Sequence, residues 1–309
     1  MSDNPAELLP VRVGCVYRPQ LAPENLAATA RLADELGLTE MWLWEDCFLA
    51  GGISAAAIAL SNSAQLTVGV GVLPVPMRNV AATAMEIATL SRAFPGRVRI
   101  GIGHGVKDWM DQIGGKVESP MTLLREYLTC LRRLLGGERV TYTGRYVSLR
   151  DVCLDWPPSP DLEVLAAATG PRTLRLSGEL ADGTIISSGT SPEALRGAVR
   201  HIESGRTLRA DSTPHSIVTY VMCASGPGGD ESIQREKVYW GYDEHADTAV
   251  FGDAAAIAKG ARKWVAAGAD TVVLQPTAEA DLEQFLTVVS TEVQPLLSAH
   301  PPPVRPGDP

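Results

Sequence analysis

The chain reads as an α/β protein, a (β/α)8 TIM barrel with loop and hairpin insertions. Short segments rich in Val, Ile and Leu alternate with helical segments along nearly all of its 309 residues. Eight segments carry the strand pattern, the number a closed barrel needs. Apolar strands alternating with helices favour a parallel sheet with the helices outside. On pattern alone, an open doubly wound sheet is the alternative.

VRVGCVY (11–17) is the first strand, and Pro23 near the start of ENLAATARLADELG predicts a helix closed by Gly37. TEMWLWED (39–46) follows, then the alanine-rich helix SAAAIALSNSA. LTVGVGV (66–72) is the third strand, with two glycines in its last turns that need a reason, since glycine weakens a strand interior. Asn79 is placed to cap the helix VAATAMEIATLSRAF, which stops at Pro95-Gly96 before VRIGIG (98–103). VKDWMDQIGGKVES shows little periodicity and reads as a long loop. Ser119 then caps the periodic helix PMTLLREYLTCLRRLLGG, and RVTYTGRYVSLRDVCL alternates like a hairpin inserted into the barrel pattern.

LEVLAAA (162–168) is the fifth barrel strand, followed by the helix PRTLRLSGELA; DGTIISS (182–188) is the sixth, followed by PEALRGAVRHIES. SIVTYVMCAS (216–225) is the seventh. The glycine- and charge-rich stretch 226–253 reads as a second excursion. The helix AAAIAKGARKWVAAGA and DTVVLQP (270–276) complete the eight, before the last helix DLEQFLTVVSTEVQPLL. Residues 1–300 are expected to form one domain and 301–309 a disordered proline-rich tail.

With 45% apolar residues a sizeable core is available, and no apolar run approaches the span of a bilayer. The N-terminal MSDNPAELLPVRV lacks the features of a secretory signal, so a cytoplasmic protein without a membrane partner is expected. A net charge of −9 argues against nucleic acid. Five scattered cysteines form no CxxC pair and five histidines form no ligand cluster, so neither disulfides nor a metal site are expected.

In a barrel, chemistry sits at the C-terminal ends of the strands. That rule selects Tyr17, Arg18, Trp44, Glu45, Asp46, Gly71, Val72, Gly103, His104, Thr169, Gly170, Pro171, Ser187, Ser188 and Gln275. Glu45 and Asp46 are strand neighbours and point to opposite faces, so one faces the pocket while the other anchors the rim. GIGHG (101–105) fails as a dinucleotide fingerprint because position 106 is Val; it reads instead as a strand end where backbone meets a ligand. In TGPRT (169–173), Thr169 is placed to cap, Pro171 suits the first helical turn and Gly170 leaves the amides approachable. Such a helix start binds anions, with Arg172 adding charge; a plain capping turn is the other reading.

MWLWED, VGVGVLPVPMRN, AMEIATLSRAFPGRVRIGIGHG, AATGPRTLRLSGELADG and GADTVVLQP occur in an order and spacing that resemble the bacterial-luciferase-like oxidoreductases. The nearer branch is similar to the coenzyme F420-dependent enzymes of the methylenetetrahydromethanopterin reductase type. The resemblance implies F420, or alternatively FMN, as cofactor and a small organic molecule as substrate. It implies a non-prolyl cis peptide between Gly71 and Val72 in a bulge behind the cofactor's central ring. It implies the cofactor phosphate at Gly170, Pro171 and Arg172, with Trp44 and the neighbouring strand ends beside the ring. Many relatives carry an aspartate–histidine pair, which the resemblance sets at Glu45-Asp46; the histidine is absent here, leaving Asp46 and His104 as catalytic candidates. The implied activity is hydride transfer with F420; the alternatives are an FMN monooxygenase and a flavin-binding protein without turnover. Homodimers through barrel helices are frequent in the family.

Overall fold

The computed structural model describes residues 11–209 and 211–299; the expected tail at 301–309 lies outside the described residues. Eight parallel strands close into a barrel: β1 (Arg12–Val16), β2 (Glu40–Leu43), β3 (Thr67–Pro74), β4 (Val98–Gly103), β7 (Val164–Ala167), β8 (Gly183–Ile186), β9 (Ser216–Ser225) and β11 (Thr271–Pro276). Closure is made by β8 with the lower half of β9, from Gly183↔Ser216 to Ile186↔Thr219. β5 (Val140–Thr143) and β6 (Ser148–Val152) form the predicted hairpin outside the ring.

The helices largely follow the pattern. α1 (Leu26–Glu35) is preceded by a 3-10 turn at Pro23–Asn25, α2 covers Gly52–Ser61, and α3 (Val80–Ala93) is capped by Asn79. α5 (Pro120–Leu135) is capped by Ser119. α6 covers Pro171–Leu180, α7 Pro192–Arg206 and α9 Ala254–Val265. The last helical stretch contains a π-helical segment, Val289–Val293, between α10 (Leu282–Val288) and α11 (Gln294–Ser298).

Three readings are corrected. The stretch taken as a long loop contains α4 (Lys107–Gln112), which at six residues is too short to show a period. The second excursion holds α8 (Gly229–Trp240) and a strand, β10 (Ala249–Gly252), that pairs with the upper half of β9 outside the ring of eight. The buried face of α8 is Gly229, Ile233, Glu236 and Lys237, a helical spacing hidden because two of its members are charged. Thr169 does not cap α6: Gly170 holds the cap position without a side-chain bond, because Pro171 takes the first helical place.

Within the ring the side chains stack in levels. Arg99, Glu40, Thr271 and Ser216 fill the end at which the strands start. Above them Val16, Trp42, Leu165, Ile185, Val218, Tyr220 and Val273 form an apolar cluster separate from the larger core between barrel and helices. Trp42 is fully buried, and its ring takes the space left by two glycines. A methyl on Gly14 would lie 2.7 Å from the indole Cδ1, and one on Gly69 would overlap the ring itself. Gly69 is therefore the residue that admits a tryptophan to a barrel this narrow. We expect Gly69→Ala to lower unfolding stability by about 1–3 kcal/mol, as overpacking does, read as a lower urea midpoint at unchanged slope.

Candidate active site

A cavity of ≈ 250 Å³ opens at the C-terminal ends of the barrel strands. Trp44 and Asp46 reach it from the end of β2, Gly71 and Val72 from β3, and Ala167, Ala168 and Thr169 from β7. Ile185, Ser187 and Ser188 line it from β8, Tyr220 from β9 and Gln275 from β11. Trp240 and Tyr242, from the end of α8 and the turn beyond it, complete the wall. Apolar walls with a few convergent polar groups are the usual make-up of a small-molecule site.

The β3 edge is irregular where it meets the cavity. The register with β4 shifts between Val70 and Leu73, and the Gly71–Val72 peptide is cis, at the bond the resemblance implied. A second non-proline cis bond joins Cys47 and Phe48. Gly71 is kept small by its neighbour, since a methyl there would stand 2.5 Å from the Tyr220 hydroxyl. That hydroxyl is buried without a hydrogen-bond partner, and burial holds its pKa well above the tyrosine range. Gly103 backs Val72 from β4, where a methyl would meet Val72 Cγ2 at 2.9 Å.

Glu45 and Asp46 point apart as expected, although β2 ends at Leu43 and both lie in the loop beyond it, so the division comes from that loop and not from strand alternation. Glu45 turns away from the cavity, accepts the Gly52 amide at the start of α2 at 2.9 Å, and pairs with Arg78 Nη2 at 2.6 Å. Asp46 faces the cavity, and its Oδ2 accepts the Trp44 indole N–H at 2.7 Å. Burial raises the Asp46 pKa, and the bond from Trp44 only partly opposes it. The carboxyl therefore keeps its proton to higher pH than a free aspartate.

His104 is elsewhere. Its Nε2 lies 3.4 Å from Thr173 Oγ1 in the first turns of α6, its Nδ1 is buried without a partner, and it is not among the residues lining the cavity. Burial lowers its pKa, so the ring is neutral near neutral pH. Gly170, Pro171 and Arg172 continue outward from Thr169; a methyl on Gly170 would meet nothing within 4 Å, and Arg172 is exposed. The α6 start thus presents open amides and a free guanidinium beside the cavity mouth, a setting for an anion. Trp109 and Met110, in α4, do not line the cavity. Cys47 is a poor nucleophile, because burial and the nearby Glu45 and Asp46 carboxylates raise its pKa.

Arg18, expected at the site, is turned aside. It is buried, and its Nη1 donates to Glu236 Oε1 at 2.6 Å and to the Pro276 carbonyl at 3.0 Å. Sequence reading missed Tyr220, Glu236, Trp240 and Tyr242. Tyr220 had a signal: it sits two residues beyond Val218 on the inward face of a strand whose top reaches the mouth. The other three lie in the excursion, where no period pointed to them.

A parallel (β/α)8 barrel with a bulged third strand and a cavity at its strand ends defines a class, and the sequence places the chain within it. The family described as luciferase-like monooxygenase matches residues 8–294, and the chain belongs to it. It is 28% identical over 192 residues to the 5,10-methylenetetrahydromethanopterin reductase of Methanolobus tindarius, covering 62% of this chain and 58% of that protein. It is 28% identical over 200 residues to the F420-dependent glucose-6-phosphate dehydrogenase of Microbacterium testaceum, covering 60% and 59%. These matches span less than two thirds of the length of either curated relative.

Among solved structures, the coenzyme F420-dependent tetrahydromethanopterin reductase of Methanopyrus kandleri superposes with a TM-score of 0.80 at 21% identity, over 93% of this chain and 99% of that one. An FMN complex of a type II Baeyer–Villiger monooxygenase from Pseudomonas putida gives 0.71 at 18%, over 93% and 98%. At such identities these two likenesses speak for the fold alone. Among the described residues no helix is long and apolar enough to cross a membrane.

Proposed function

We propose that the protein is an F420-dependent oxidoreductase that moves a hydride between the deazaflavin and a small organic substrate. The observation that carries this reading is the cavity itself: Asp46 faces inward beside Trp44, with the bulged Gly71–Val72 edge forming part of the same wall. The sequence relatives, an F420-dependent dehydrogenase and a methylenetetrahydromethanopterin reductase by name, support F420 as the partner.

The residues present fit such a group. Gly71 and Val72, backed by Gly103, would support its ring, with Trp44 lining the cavity beside them and Thr169, Gly170, Pro171 and Arg172 at the mouth for its phosphate. Reduced F420, when bound, supplies two electrons as a hydride to an acceptor carbon. The neighbouring acceptor atom then needs a proton. Asp46 lines the cavity, and burial shifts its carboxyl toward the protonated form, which makes it the candidate to hold that proton beside the substrate. His104, neutral and engaged with Thr173, would stay outside the proton transfer.

The family description favours one second reading, an FMN monooxygenase. Titration of the purified protein with F420 and with FMN, followed by cofactor fluorescence, separates the two. We expect saturable F420 binding, about micromolar or tighter, a free energy near −8 kcal/mol. FMN binding at that strength without F420 binding would overturn the proposal.

A further inference from the structure

The end of α8 is tied to the barrel by a buried network that the hydride-transfer reading does not use. Arg18 and Glu236 are each 4% exposed. Glu236 Oε1 accepts both Arg18 Nη1 at 2.6 Å and the Trp240 indole N–H at 2.7 Å, while its Oε2 accepts the Ala278 amide at 2.9 Å. Arg18 also reaches the Pro276 carbonyl. One carboxylate thus joins the ends of β1 and β11 to the indole that walls the cavity. A different Trp240 rotamer would break the indole's charge-assisted bond to that buried carboxylate. Tyr242, the next wall residue, is fixed differently: its ring lies so close to Gly189 that a methyl there would stand 2.8 Å away.

The charge balance of the cavity is equally specific. Among the described residues lining it there is no Lys, Arg or His, and Asp46 is the one acidic member. Arg18 is committed to Glu236, and Arg172 stands exposed at the α6 start, on the side assigned to the cofactor phosphate. A phosphorylated substrate would find no cation in the cavity to offset its charge. A neutral molecule with a flat apolar face would find aromatic walls, hydroxyls and the Gln275 amide.

We propose that Glu236, held by Arg18, is a positioning residue that fixes Trp240 as the specificity-determining wall for neutral, flat, apolar-faced substrates, for which simple cyclic and aryl ketones serve as probes. This rests on the hydride-transfer reading above. For a ketone, the hydride forms a C–H bond at the carbonyl carbon and the C=O π pair moves to oxygen. That oxygen takes a proton to give the alcohol, and reduced F420 is oxidised by two electrons.

The test uses full-length wild type, Trp240→Phe, Trp240→Ala and Glu236→Gln, each first titrated with F420. Acetophenone and cyclohexanone with reduced F420, and glucose 6-phosphate with oxidised F420, are the kinetic probes. The expected result is turnover of the ketones and none of the sugar phosphate. In Trp240→Ala we expect KM for acetophenone to rise about tenfold, the change that ~1.4 kcal/mol of lost ring contact produces. Affinity for F420 should stay within about twofold (~0.4 kcal/mol). Glu236→Gln should raise KM with kcat kept, and Trp240→Phe should recover most of the loss seen in Trp240→Ala. Independently of turnover, acetophenone should quench tryptophan fluorescence in wild type and much less in Trp240→Phe. Failure of F420 to bind would remove the hydride reading, while the quenching result would still decide the wall. Unchanged KM and quenching in the variants, F420 affinity falling with KM, or turnover of glucose 6-phosphate alone would each overturn the proposal.

Discussion

Arg99→Leu is expected to destabilise the protein by about 3 kcal/mol, at the lower end of the cost of breaking a buried ion pair. Arg99 Nη1 lies 3.1 Å from both Glu40 oxygens and from Thr271 Oγ1, Nη2 reaches Ser216, and Nε reaches Glu163. Burial alone would lower the Arg99 pKa, but Glu40 and Glu163 outweigh it and hold the group charged. Without Arg99, Glu40 keeps the Trp42 indole N–H at 2.8 Å and a longer approach from Arg12 Nε at 3.5 Å. Those partial partners place the loss at the lower end. The Arg99→Leu/Glu40→Leu double variant should recover much of it, because no buried charge is then left facing apolar neighbours. Urea midpoints of the two single variants and the double give the coupling directly.

Asp46→Asn is expected to lower turnover with F420 by about 10²–10⁴-fold, the usual contribution of a placed proton donor. Cofactor affinity should change little, since the amide oxygen still accepts the Trp44 indole N–H seen at 2.7 Å. The pH profile carries the sign. On the proposed donor role the protonated carboxyl is the active form, so wild-type turnover should fall as pH rises through the raised Asp46 pKa, and the variant's residual rate should lack that limb. Stability moves in the same sense. A carboxyl whose folded pKa is raised contributes stability fully present below its unfolded pKa and lost as pH rises through the folded value. Wild type should therefore lose a little stability across that window while Asp46→Asn does not. Thermal melts at a series of pH values read this, and a steeper loss in the variant would contradict the assignment.

The barrel was legible because its signals are local. Valine-rich strands, the Asn79 and Ser119 caps and the Pro95-Gly96 stop each state their structure within a few residues. The division of Glu45 from Asp46 was anticipated, but by alternation in a strand that in fact ends at Leu43; it is the loop beyond, with Glu45 drawn to Arg78 and Gly52, that sets it. The particular reason for Gly69 was not: Trp42 stands opposite it on the neighbouring strand, and the β2–β3 register that brings the indole over that Cα is set by tertiary structure. The fate of Arg18 was hidden likewise, because its partner is 218 residues away in a helix whose buried side is partly charged. A hydrophobic period marks helices that face a core. It passes over one that seals a polar network at a rim.

β9 is the longest barrel strand, with ten residues, and it changes partner partway along one edge. Residues 216–219 close the ring with β8, and residues 222–225 pair with β10 above it. The β8 pairing is thus made before the chain reaches the segment that carries Trp240 and Tyr242, and the ring is completed only after it, when β11 enters between β9 and β1. That segment is a rim built between the seventh and eighth strands of the ring, held to it by β10 on β9 and by Glu236 on Arg18. A change in α8 therefore reaches the cavity wall and the buried Arg18 of the barrel together.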